Sequence, residues 1–139
     1  MNQSPFTEDQ ILILRAVVDR IIPEDDIPGA WNAGVGTYIS RLIAGDSEAI
    51  QRYQLGLVGC DLEAMAFLGN SLVCLGAADQ DAILSRVESG RILAEWTFDP
   101  KSFFRMIVNH TMEGFYADPG NGGNLDEVAW KMIGFEVTA

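Results

Sequence analysis

Basic residues are scarce in this chain: 9 Lys and Arg stand against 20 Asp and Glu in 139 residues, a formal net charge of −11. Nucleic-acid binding needs clustered cations that displace counterions from phosphate, so the charge balance speaks against it. The same balance speaks against docking on an anionic membrane surface. No apolar run reaches the roughly 18 residues that a spanning helix needs, so no direct membrane insertion is expected. There are two cysteines, Cys60 and Cys74, too few for a disulfide framework and without zinc spacing; both are expected to be buried free thiols. His110 is the only histidine, which excludes the paired Glu-x-x-His ligands of di-iron bundles. No dinucleotide fingerprint or phosphate-cradling loop is present, so no cofactor is expected on this chain. Strand-like alternation is missing too, as are internal repeats and linkers.

What remains is helical periodicity. Thr7 and Gln10 fit a capping box, and Phe6 with Ile11 a hydrophobic staple. Ile11, Leu14, Val18, Ile21 and Ile22 then follow helical spacing until Pro23 closes the segment. A second helix is expected over 35–44, stopped by Gly45. Asp46 or Ser47 caps a third, with Ile50, Tyr53, Leu57, Leu62, Met65 and Leu68 as its apolar side and Gly56 and Gly59 as sites of close helix packing. A short fourth helix is expected over 79–87, ending at Gly90. Asp99-Pro100 opens a fifth, with Phe104, Ile107, Val108, Thr111 and Phe115 on one stripe. A last short helix is placed over 128–133. The fold class expected is all-α: a single domain over 1–139, an irregular bundle of about five to six helices with a long Pro/Gly-rich C-terminal loop.

Catalytic constellations are few. His110 and Glu113 lie three apart and share a helix face, the one candidate acid–base pair. Glu24-Asp25-Asp26 lacks the alternating ligand spacing of a calcium loop and reads as a solvated turn, so no metal site is expected. The richer signal is a loop between aromatic anchors: Gly114-Phe115-Tyr116-Ala117-Asp118-Pro119, then Gly122-Gly123-Asn124, then Trp130 and Gly134-Phe135. Such a loop is either a clasp within the fold or a surface for a partner. The candidate partner contact comprises Tyr116, Asp118, Pro119, Gly122, Gly123, Asn124 and Trp130, together with Trp31 in the loop after Pro28-Gly29-Ala30.

The order of these motifs resembles the gluconate 2-dehydrogenase subunit 3 family. Arg20-Ile21-Ile22-Pro23, Pro28-Gly29-Ala30, Ala33-Gly34-Val35 and Tyr38-Ile39 are similar to its N-terminal signature. Tyr53 with Gly56-Leu57 is similar to a mid-chain pattern, and Gly122-Gly123-Asn124 to a C-terminal one. Asn121 stands where the family usually has an aromatic. The resemblance implies a small non-catalytic subunit that binds, stabilises or assists export of a large flavoprotein of the glucose-methanol-choline type. The FAD then lies in the partner, which oxidises a sugar, sugar acid or glucoside, and a cytochrome or other electron-transfer subunit can complete the complex. Family members often carry a twin-arginine leader. None is visible before Phe6, so the expectation is cytoplasmic as written, or periplasmic if a leader was removed or the chain is exported with its partner. The alternative is a free-standing helical enzyme or ligand-binding protein using His110.

Overall fold

The computed structural model describes residues 4–117, and among them every regular element is helical. Five α-helices run in order: α1 (Glu8–Ile21), α2 (Val35–Ile43), α3 (Ser47–Leu68), α4 (Ala77–Ser89) and α5 (Pro100–Phe115), with a 3-10 turn at Leu72–Cys74. The all-α expectation holds. The helix expected over 128–133 and the loop of residues 118–124 lie outside the described residues.

Local chemistry explains the helix starts. Thr7 accepts from the Gln10 amide while the Gln10 side chain accepts from the Thr7 amide, closing the capping box on α1. Asp46 accepts from the Ala49 amide at 3.1 Å and Asp99 from the Lys101 amide at 3.1 Å, with Pro100 opening α5. α1 ends because Ile22 precedes Pro23 and takes an extended backbone. α4 begins at Ala77, two residues before the expected start. Gly76 precedes it without a side-chain cap, so no residue type announces the boundary.

The loop between α1 and α2 gives the N-terminal motif its physical meaning. Ala30 donates its amide to Ile22 O at 3.0 Å, Val35 to Ala30 O at 3.1 Å, and Trp31 to Asp19 Oδ1 at 2.9 Å. Gly29 sits so close to the returning chain that a Cβ there would lie 2.8 Å from Glu24 N and 2.9 Å from Ile22 O. Gly34 turns into α2 at φ +90°, a conformation that favours glycine. The motif is therefore a tight backbone fold that seats the fully buried Ala30 and Ala33 in the core.

α1 contacts every other helix, as α3 and α5 also do, and buries Ile13, Leu14, Val17 and Val18. On α3 the buried face differs from the expected one. Tyr53, Gly56, Leu57, Gly59, Cys60, Glu63 and Ala64 are inside, whereas Leu62, Met65 and Leu68 are exposed. The small residues leave room for neighbours: a Cβ on Gly56 would lie 2.1 Å from the Phe103 ring, and one on Gly59 would lie 2.9 Å from Trp96. The expected close packing at these glycines is present. α5 is correspondingly rotated, burying Phe103, Ile107, Thr111, Gly114 and Phe115, while Phe104 and Val108 are half-buried.

Cys60 and Cys74 are both free thiols, but only Cys60 is buried; against the expectation, Cys74 is exposed at the end of the 3-10 turn. Burial, helped by the charges of Asp61 and Glu63, pushes the Cys60 thiol up to about 12. In the folded protein a thiol reagent is expected to label Cys74 alone, and Cys60 only after unfolding. Peptide mapping of the labelled protein checks this.

Candidate functional site

His110 and Glu113 project from one turn of α5 but do not bond each other; each is taken by a tyrosine from another helix. The Tyr53 hydroxyl on α3 lies 2.7 Å from His110 Nδ1, with the two rings stacked at 5.7 Å. The Tyr38 hydroxyl on α2 donates to Glu113 Oε2 at 3.4 Å. Tyr53 is fully buried, and burial, seconded by the Glu113 charge, drives its hydroxyl far above the ordinary tyrosine range. The hydroxyl and Nδ1 share this one hydrogen bond, which commits both groups to the contact between α3 and α5. Burial lowers the His110 pKa below 6.5, against an opposing pull from Glu113.

The sign of the resulting pH dependence follows directly. A histidine with a depressed folded pKa binds fewer protons folded than unfolded, so its contribution is complete above 6.5 and declines as pH falls below that value. The stability difference between the native protein and a His110→Gln variant is expected to shrink from pH 8 to pH 5.5. Paired thermal melts across that range check it, and a pH-independent difference contradicts it.

The candidate partner contact is only partly within the described residues. Trp31 is half-buried, its ring lying over Gly36, where a Cβ would come within 2.4 Å of it. It lines a groove of about 690 Å³ together with Phe6, Leu14, Arg41 and Ile50. Tyr116 is exposed, edge-on to Phe115 at 5.3 Å. Asp118, Pro119, Gly122, Gly123, Asn124 and Trp130 lie outside the described residues. Trp96 packs into the fold, over Gly59 and beside Phe103.

One charged constellation escapes sequence reading. Glu63 is fully buried on α3, and its carboxylate gathers three donors: the Leu93 amide at 2.9 Å, the Ala94 amide at 2.9 Å and Arg86 Nε at 3.0 Å. Arg86 also lies 3.9 Å above the Phe67 ring. Burial alone would raise the Glu63 pKa, but the two amides and the guanidinium outweigh it and hold the carboxyl below its usual range. The group pins the segment between α4 and α5 onto α3. The only hint in the sequence is an acid inside an apolar helix, because its donors lie 23 to 31 residues away.

Among the described residues no three His, Cys, Asp or Glu side chains are grouped to hold a metal ion, and no helix is long and apolar enough to cross a membrane. Of the buried polar side chains among the described residues, Glu63 holds the segment between α4 and α5, and the Thr111 hydroxyl donates to Ile107 O within α5. Fold and polar arrangement thus define a helical domain built around internal clasps. The family comparison names the class further: the chain belongs to the Gluconate 2-dehydrogenase subunit 3 family, which matches residues 8–136. It is a family of dehydrogenase subunits. No curated protein and no solved structure matches the chain.

Proposed function

We propose that this chain is the small subunit of an FAD-dependent dehydrogenase acting on CH–OH donors of the sugar or sugar-acid class, and that it binds and stabilises the large flavoprotein subunit. The observation that carries this reading is the family match, which spans nearly the whole chain and describes a subunit. FAD and the hydride-accepting chemistry belong to the partner, and an electron-transfer subunit such as a cytochrome can receive the electrons next. This chain contributes surface and rigidity. The geometry supports that division, because His110 Nδ1 is engaged by Tyr53 and Glu113 by Tyr38, so the one acid–base candidate already has structural partners.

The test is purification of the tagged chain from its native cells. A larger yellow protein with a flavin spectrum should co-elute, and the fraction should reduce an artificial electron acceptor with a sugar or sugar acid. Chain stripped of that protein should be colourless and inactive. Activity from the colourless chain alone would contradict the proposal.

A further inference from the structure

We propose that the groove beside α2 is a binding site for a small organic acid, one carboxylate carried on an apolar or aromatic body. The groove, of about 690 Å³, is bordered by residues of α1, α2 and α3. Its volume falls in the range of about 300–1,000 Å³ typical of small-molecule sites. Its lining is mostly apolar, with Phe6, Ile11, Leu14 and Ile50 beside the indole of Trp31. Its walls are held in place. The Trp31 ring rests on α2 at Gly36, where a Cβ would displace it, and the Trp31 amide is bonded to Asp19 at 2.9 Å. Pro5 O accepts from Gln54 Nε2 at 2.7 Å, and Phe6 is edge-on to Tyr53 at 6.0 Å, which pins the segment leading into α1. A groove whose walls are already fixed needs little ordering when a ligand enters.

Charge gives the ligand its class. Arg41 is the one charged residue lining the groove, and no acid lines it. Among the described residues Arg20, Arg52 and Arg86 each pair with an acid, whereas Arg41 forms no ion pair. Nearby acids are already engaged: Asp19 by the Trp31 amide, Asp46 by the Ala49 amide and Glu48 by Arg52. A guanidinium offers a carboxylate paired N–H donors, and the apolar walls take the rest of the molecule. One cation does not match a polyphosphate. Nor do these walls suit a polyhydroxy acid, whose hydroxyls would lose water without gaining partners beyond the Thr37 and Ser40 side chains. The site makes no use of the flavoprotein, so it stands or falls separately from the proposed function.

The test titrates naphthoate into the full chain, with uncharged naphthylmethanol and the polyhydroxy acid gluconate for comparison. Calorimetry reads affinity, and the Trp31 indole N–H signal, assigned by Trp31→Phe, reads location. Naphthoate should bind and move that signal, naphthylmethanol should bind about tenfold more weakly, and gluconate should not bind measurably. Arg41→Gln should weaken naphthoate about tenfold, the size of one lost charge-assisted hydrogen bond, and leave naphthylmethanol unchanged. Ala44→Trp, at an exposed position in the lining, should abolish binding of both while the melting temperature stays near that of the wild type. Naphthoate that fails to bind the full chain, or binds the wild type and both variants equally, overturns the proposal. A lower melting temperature for Arg41→Gln with unchanged affinity would mean that Arg41 serves only the C-terminal end of α2, and overturns it too. Binding that appears only once residues 118–139 are removed would make that segment the occupant. A Trp31 signal that moves with protein concentration and not with naphthoate would make the occupant a second copy. Either result overturns the proposal.

Discussion

Glu63→Ala is expected to destabilise the protein by about 3–5 kcal/mol, the range for removing one partner of a buried ion pair. Total stability of a domain this size is about 5–15 kcal/mol, so the loss is severe. The change strands three donors at once: the Leu93 and Ala94 amides, and an Arg86 side chain that is 22% exposed. Glu63→Gln keeps the shape but turns an NH₂ toward those donors, and about 1–3 kcal/mol should still be lost. Asp81→Ala removes the Arg20 pair, whose carboxylate is 52% exposed, and should cost no more than about 1 kcal/mol. Urea denaturation of the three variants decides whether burial sets the ranking. Because the folded Glu63 pKa is depressed, its contribution is present above the ordinary 4.5 and is lost as pH falls through the lower folded value.

Gly56→Ala is the second large effect. Alanine gains about 1 kcal/mol over glycine in helix propensity. Against this, its Cβ would lie 2.1 Å from Phe103 Cδ1 and 2.2 Å from Cε1. The ring cannot simply swing aside, since it is 1% exposed and edge-on to Tyr53 at 6.0 Å and to Phe98 at 6.2 Å. Overpacking of this kind costs about 1–3 kcal/mol and occasionally more, so the balance is a net destabilisation. Combining Gly56→Ala with Phe103→Leu should cost less than the sum of the two single changes, because the smaller side chain relieves the clash. Strict additivity would show that the Phe103 contact is not the cause.

The starts of α1, α3 and α5 were legible because their signals are local. Thr7, Asp46 and Asp99 each bond an amide two or three residues ahead, and a sequence displays that spacing directly. The inward face of α3 was not, because counting apolar residues favours Leu62 and Met65 over Gly56 and Gly59. It is the glycines that are buried, since only they let Phe103 and Trp96 approach the helix backbone. Glu63 and the Tyr53–His110 bond were hidden by distance, their partners lying up to 31 and 57 residues away. His110 and Glu113 could be placed on one helix face from spacing alone. That each would be paired with a tyrosine, and not with the other, depends on how α2 and α3 cross α5. The N-terminal motif announced a family before its role as a backbone clasp was visible, since the Ala30–Ile22 bond joins residues no pattern of side chains links.

The most direct test of the central claim is deletion of this chain's coding sequence in its native cells, followed by assay of sugar- and sugar-acid-dependent dye reduction and of the large flavoprotein's abundance. Loss of both, restored when the chain is supplied from a plasmid, is the predicted result. Unchanged activity with an undiminished flavoprotein would contradict the claim that this chain stabilises it.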